Sequence, residues 1–103
     1  MRNIPISDVT SQTVKTLLAG QSCKMNIYQL PTGLFIDLYV NDVLIIGGVI
    51  CENLNRIVRD LYLGFVGDLI FQDTQGSLDP SSPGLGARYL LRYLEVADLN
   101  GLG

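Results

Sequence analysis

The sequence predicts a mainly β protein, with one small antiparallel β-barrel or β-sandwich domain over residues 1–103 and at most one short helix. Three observations predict this class. Apolar and polar residues alternate along several short segments, and turn-forming residues separate those segments. In addition, 48% of the residues are hydrophobic, which is enough for one core, while 103 residues leave no room for a second.

The first half of the chain has the pattern of hairpin-linked strands. Pro31 fixes φ and Gly33 supplies a positive φ, while residues 41 and 42 tolerate left-handed conformations, so each pair marks a hairpin turn. The segment 43–51 is apolar on both faces, which indicates either a central strand covered on two sides or a strand in a subunit contact. The strands predicted here are residues 11–19, 22–30, 34–40 and 43–51.

The segment after Cys51 fits two interpretations. Apolar residues follow a helical spacing of three and four from Leu54 to Phe65, but every second residue from Leu61 to Phe71 also fits a strand. We predict one or two helical turns over residues 54–60, then extended chain with a strand over 68–73. Gly64 and Gly67 are expected to mark a bulge or a close backbone approach.

The remaining segments are a loop, a strand and two ends. We predict the last strand over residues 87–96, an N-terminal arm over 1–9 and a mobile tail over 97–103. The loop 74–86 is too long for a hairpin and carries a single charge, so we expect it to contact a partner; the alternative is a solvated surface loop. Its candidate interface residues are Gly76, Asp79, Pro80, Pro83, Gly84, Leu85 and Gly86.

Composition excludes several classes of protein. The hydrophobic content excludes a disordered chain. The net charge of −3 and pI of about 4.5 exclude a protein that binds nucleic acid through a basic surface. Charged residues are only 17% of the chain, against about 25% in soluble domains, so we expect other proteins to cover much of the surface.

Membrane insertion is not expected. The longest uncharged apolar run, residues 43–51, is much shorter than the roughly 20 residues that a spanning helix needs. The N-terminus lacks the apolar segment of a secretory signal. We therefore expect the chain to be made and assembled in a cytoplasm.

The titratable residues predict no active site and no cofactor. Histidine is absent, which excludes catalytic triads that use an imidazole base. The acidic candidates, Asp37, Asp68, Asp73 and Asp79, are each explained by a strand face, a turn or a cap. The segment 73–79 lacks the acidic ligands of a calcium loop. Residues 84–86 precede a strand, whereas a phosphate-binding glycine loop precedes a helix.

The two cysteines lie in apolar, strand-like segments. We predict that Cys23 and Cys51 are reduced and buried, in preference to a disulfide, and two cysteines without histidine predict no metal site. The other residues predicted for the core are Met25, Ile27, Ile36, Leu38 and Leu90.

Several runs of the sequence resemble one protein family in their order and spacing. They are GQSCKMNIYQ (residues 20–29), GLFIDLYVND (33–42), LGFVGDL (63–69), DTQG (73–76), DP (79–80), GLGARY (84–89) and YL (93–94). Together they resemble the bacteriophage baseplate plug family over residues 4–99. The short glycine-rich ending at 100–103 departs from the pattern, and we assign it no role.

The resemblance implies a structural virion protein of a contractile-type phage tail baseplate, which plugs the tail-tube lumen at the hub and central spike. The implied partners are the hub, the central spike, the tail tube and further copies of the chain, with three-fold symmetry and no catalytic residues. The alternative is a small β-barrel module that binds a peptide or a cell-surface component through Tyr28, Phe35 and Tyr39. A cell-wall enzyme is a third and weaker hypothesis, because no residues compose its active site.

Overall fold

Seven strands form two antiparallel sheets in the computed structural model, which describes residues 2–59, 65–95 and 98. One sheet has the order β1-β7-β6 and the other the order β2-β3-β4-β5. The sheets share one core, so the architecture is sandwich-like, as the sequence predicts. The strands are β1 (Arg2–Ile4), β2 (Ser11–Leu18), β3 (Gln21–Leu30), β4 (Gly33–Val40), β5 (Val43–Ile50), β6 (Asp68–Asp73) and β7 (Tyr89–Leu94).

The four-stranded sheet is an antiparallel meander built from consecutive hairpins. Met25 of β3 lies opposite Val14 of β2 and Leu38 of β4. The turn between β4 and β5 contains Asn41 and Asp42, with φ values of 50° and 64°. Asparagine and aspartate tolerate this left-handed conformation, which suits the twist of a hairpin. The hairpin-linked strands predicted from the sequence are therefore confirmed, with bounds that differ by at most one residue.

The three-stranded sheet joins the two ends of the described chain. β7 lies in its centre, and β1 pairs with it through Arg2 opposite Tyr93 and Ile4 opposite Leu91. The segment predicted as an N-terminal arm therefore contains a strand that sequence analysis missed. The predicted tail at 97–103 lies outside the described residues except for Asp98.

The core lies between the two sheets, where every second residue of β3 and β4 meets β6 and β7. Cys23 and Cys51 are both buried and both free, as predicted. The prediction for Leu90 is wrong: this side chain is only half-buried, because the opposite face of β7 points inward. That inward face carries Tyr89, Leu91 and Tyr93.

The helix predicted over 54–60 is also wrong for the described residues 54–59, which are bends and turns. Leu54 and Arg59 have positive φ values of 61° and 69°, which a right-handed helix does not allow. The backbone N–H groups of residues 57–59 donate to the Asp68 carboxylate. In a helix they would donate to carbonyl oxygens one turn earlier in the chain. The chain at 60–64 lies outside the described residues.

β5 is an edge strand, not a central one. It pairs with β4 alone, and Val43, Leu44 and Ile50 are exposed. Its register shifts twice against β4, so the strand contains two bulges. The prediction of a strand covered on both sides is therefore wrong within the described chain, and the alternative, a subunit contact, stays a prediction.

Candidate interaction site at the 74–86 loop

A charged pair closes the base of the 74–86 loop. Asp73 ends β6, Arg88 precedes β7, and the antiparallel pairing of those strands brings the two residues together. The Arg88 guanidinium donates Nε to Oδ1 and Nη2 to Oδ2 of Asp73, each at 2.9 Å. The Arg88 side chain also lies over the Tyr89 ring, 5.2 Å from its centroid. Two parallel hydrogen bonds fix orientation as well as distance.

The Asp73 carboxylate also shapes the first turn of the loop. It accepts the backbone N–H of Gln75 and the backbone N–H of Leu78, both at 2.9 Å. The hydrogen bond from Arg88 and these two amides hold the pKa of Asp73 well below its usual range, although burial opposes them. The carboxylate therefore stays ionised and organises residues 74–78.

The second half of the loop packs on its own chain. Pro80, Ser82 and Leu85 are buried. The Ser82 backbone N–H donates to Gln29 Oε1 at 2.8 Å, which ties the loop to β3. Gly86 has a φ of 83°, and a Cβ there would collide with the backbone of Ile6. Pro80 and Leu85 are therefore packed within the fold, and their assignment as interface residues stays a prediction.

The exposed residues of the loop are 74–79, Pro83 and Gly86, and we call residues 75–79 the arm. Leu78 is 59% exposed at the end of this arm. The Asp79 carboxylate accepts the Asn53 backbone N–H at 2.9 Å, so the only charge of the arm is already hydrogen-bonded. That Gly76 and Asp79 form an interface stays a prediction; both lie on the exposed arm, and the sequence analysis did not include Leu78. Its signal was present, since it is the only large apolar residue between Asp73 and Pro80.

Comparison with known proteins identifies the family. The family model described as cyanophage baseplate Pam3 plug gp18 matches residues 1–96. The chain belongs to this baseplate plug family. No curated protein sequence matches it. Membership makes the chain a structural component of a phage tail baseplate and so part of the virion, and it confirms the resemblance drawn from the sequence motifs.

Two further carboxylates considered in the sequence analysis of this baseplate plug chain, Asp37 and Asp68, have structural partners. Asp37 Oδ1 accepts the Gly48 backbone N–H at 2.7 Å and the Tyr28 hydroxyl at 3.1 Å. Asp68 is fully buried beneath residues 56–59 and forms an ion pair with Arg56, with Nε and Oδ2 3.0 Å apart. In the part of the chain that the structure describes, no three potential metal ligands cluster.

The aromatic residues on the outer face of the four-stranded sheet contact their neighbours in the sheet. Tyr28 and Phe35 lie opposite each other and stack with ring centroids 6.1 Å apart. Lys24 lies over the Tyr39 ring at 4.3 Å. The hypothesis that these rings bind a peptide or a cell-surface component stays a prediction. Among the described residues of the plug-family chain, no helix is long and apolar enough to cross a membrane.

Proposed function

We propose that this chain is a non-catalytic subunit that plugs the tail-tube lumen at the hub and central spike of the baseplate. It acts there as one copy of a three-fold homo-oligomer that assembles in the host cytoplasm. The family match over residues 1–96 carries the proposal. The low fraction of charged residues, 17%, supports it, because a subunit packed inside an assembly exposes little surface to water.

We further propose that the arm over residues 75–79 contacts a neighbouring baseplate protein, with Leu78 as its apolar anchor. The Asp73–Arg88 pair and the two amides bound to Asp73 hold the arm in place before binding. A preorganised loop loses less conformational entropy on docking. The hydrogen bond between Asp79 and the Asn53 N–H also supplies one partner for the carboxylate when water leaves.

The test of this contact is the Leu78→Lys substitution. Shortening the loop is a poorer test, because Pro80 and Ser82 are buried against the chain itself. Leu30→Lys is the matched control, since Leu30 is also an exposed leucine but lies at the β3–β4 turn. Each variant would be supplied in trans to a phage that lacks the gene, and purified tails would be assayed for the chain and for infectivity.

We expect L30K to enter tails normally and L78K to be missing from tails that are not infectious. Both variants should unfold at the wild-type temperature, because each leucine is exposed. Normal amounts of L78K in infectious tails would contradict the role of the arm. The plug itself is tested separately by cryo-electron microscopy of the intact tail tip, where density for this chain outside the tube lumen would reject lumen closure.

A further inference from the structure

Both edges of the four-stranded sheet lack a neighbour among the described strands. β2 hydrogen-bonds only to β3 and β5 only to β4. The other sheet is different, because the chain covers its β6 edge: Leu54 N–H donates to the Phe71 carbonyl and Ile57 N–H to the Leu69 carbonyl. Within the described residues the chain therefore covers the β6 edge with its own backbone, whereas β1, β2 and β5 are edges with no further strand beside them.

β5 lacks the side chains that keep an edge strand from pairing, although its two bulges are a feature that also protects natural edges. Natural edges are blocked by lysine, by proline or by inward-pointing charges. The sequence of β5, VLIIGGVI, contains none of these. Ile45, Ile46 and Val49 are only partly buried against the core, as is Val14 on β2. A further strand beside either edge would bury these apolar side chains more completely, which is favourable in proportion to the area removed from water.

The strand directions of the two edges allow copies in the same orientation to join edge to edge. Each of the three strand pairs from β2 to β5 is antiparallel, so β2 and β5 run in opposite directions. When β5 of one copy lies beside β2 of the next, the antiparallel sheet simply continues. Such a contact uses two different surfaces, so it is head-to-tail and repeats around an axis.

The lengths and faces of the edges also match. Both strands have eight residues, and aligned end to end they place Leu44 of one copy opposite Leu17 of the next. These two leucines lie on the same outer face of the sheet. Leu44 is in one row of paired residues with Lys15, and this row runs across the sheet through Lys24 and Tyr39. Leu17 follows two residues after Lys15 on β2, so its side chain points to the same face. Leu17 is 65% exposed and Leu44 is 52% exposed. Pairing would shield two of the most exposed apolar side chains from water.

Charge disfavours pairing between identical edges. Two antiparallel β5 strands in the register that sets Val43 opposite Cys51 would place Asp42 of each copy opposite Glu52 of the other. Two antiparallel β2 strands in the register that sets Ser11 opposite Ala19 would place Lys15 of one copy opposite Lys15 of the other. Like charges across a strand pair are destabilising. Pairing of β5 with β2 avoids both repulsions, because β5 has no charge along its length.

We propose that β5 of one copy pairs with β2 of the next, so that a second copy of this chain occupies each open edge and the four-stranded sheets join into one continuous sheet. This deepens the homo-oligomer of the proposed function and rests on it for its place in the baseplate. The bulges in β5, one of them fixed by the Asp37 hydrogen bond to Gly48 N–H, bend and twist the strand. Curvature of this kind favours closure into a ring over an open, flat array.

The test places charges on the two leucines that are proposed to meet. In L17K/L44K every contact between β5 and β2 sets two lysines opposite each other, whereas in L17K/L44E it sets a lysine opposite a glutamate. The full-length wild-type chain, both double variants and the control L30K would be compared by light scattering after size exclusion and by native mass spectrometry. Circular dichroism would establish that each variant is folded.

We expect the wild type and L30K to be oligomeric, L17K/L44K to be monomeric, and L17K/L44E to be oligomeric with an association that salt weakens. Contacts between identical edges set residue 44 opposite residue 49 or 50 and not opposite residue 17, so they predict no such difference between the two double variants. A wild type that is monomeric at every soluble concentration, an oligomeric L17K/L44K or a folded but monomeric L17K/L44E would overturn the proposal.

Hydrogen exchange of the wild type gives a second measurement that needs no variant. The backbone amides of both β2 and β5 should gain protection together as concentration rises, and protection of only one edge would reject the head-to-tail contact. The Leu78→Lys variant separates this inference from the arm contact. We expect L78K to associate in solution like the wild type even when it is missing from tails.

Discussion

Arg88 and Asp73 join through two parallel hydrogen bonds of 2.9 Å, and this pair connects the end of β6 to the residue before β7. The Asp73 side chain is fully buried, while that of Arg88 is 30% exposed. The loop between them is therefore closed at its base by an ion pair whose carboxylate is shielded from water. Its exposed arm starts from a fixed point and does not depend on a partner for its shape.

Acid is expected to weaken this closure. Because the native pKa of Asp73 lies below its ordinary value of 3.8, the ionised pair contributes its full stability above that value and loses it as the pH falls toward the native pKa. Urea unfolding of the wild type should show a free energy that declines as the pH drops below about 4. Asp73→Asn should be less stable at neutral pH and lose less stability with acid. Asp8→Asn, at an exposed position, is the control and should follow the wild type.

Removal of the Asp68 carboxylate should destabilise the connection between the two sheets. Its Oδ1 accepts the N–H groups of Ile57, Val58 and Leu69, and its Oδ2 accepts that of Arg59. A buried donor without a partner costs about 1–3 kcal/mol, so Asp68→Ala should lower the free energy of unfolding by at least about 2 kcal/mol. Denaturant unfolding measures the loss, and Asp68→Asn, which retains one carbonyl acceptor, should lose less. Equal stability of all three proteins would refute this account.

Gly67 is expected to tolerate no side chain. Its φ is 95°, and a Cβ there would lie 2.6 Å from the Tyr93 hydroxyl and overlap the Leu94 carbonyl. Gly20→Ala is a matched control, because Gly20 has a φ of 77° but open space around it. We expect Gly20→Ala to lower the free energy of unfolding by about 1–2 kcal/mol through backbone strain alone. Gly67→Ala should lower the free energy of unfolding clearly more in the same thermal or denaturant measurement. Equal losses in the two variants would show that the structure relieves the collision at Gly67.

Both cysteines should resist alkylation in the native protein. Each is 2% exposed, and burial raises the pKa of both thiols, that of Cys51 to about 12. Since the thiolate is the reactive form, labelling should be slow at neutral pH and become complete only in denaturant. Mass spectrometry after a short pulse of iodoacetamide counts the modified thiols. Two rapid modifications under native conditions would contradict the described core.

Leu38 should be among the costliest positions to truncate. Its side chain is fully buried between Met25, Ile46 and the facing sheet. Leu38→Ala should lower the free energy of unfolding by roughly 2–5 kcal/mol, depending on how far the cavity collapses. Leu30→Ala, at an exposed leucine, should change it by less than about 0.5 kcal/mol. A small effect at both positions would mean that β4 does not form the centre of the core.

The sequence predicts the hairpins well because their signals are local. Alternation over 22–30 and 34–40 and the turn residues at 31–33 act within a few positions, and the strands formed at those positions. β1 was missed because Arg2–Ile4 is too short to show alternation and is defined by β7 at the other end of the chain. Leu90 was assigned to the wrong face because both faces of β7 carry large apolar residues.

Two further errors have causes distant in sequence. The spacing of Leu54, Ile57 and Val58 is helical, but the N–H groups of residues 57–59 bind Asp68, and no local pattern reveals an acceptor ten residues away. β5 is apolar enough for a central strand, yet it lies at an edge. For the candidate site, the loop 74–86 was predicted as a whole, but which of its residues face outward depends on Gln29, Asn53 and Arg88 from other segments.

The pairing of β1 with β7 has a consequence for the order of events during synthesis. Residues 11–50 contain every strand of the meander, so that sheet can form as soon as these residues leave the ribosome. The other sheet must wait, because Arg2–Ile4 needs Tyr89–Leu94 as its neighbour. Contacts between distant residues form slowly, since a long loop must close first. The nascent chain therefore carries half of a sandwich with its apolar face open until the last strand arrives, and this interval is when the protein is most prone to aggregate.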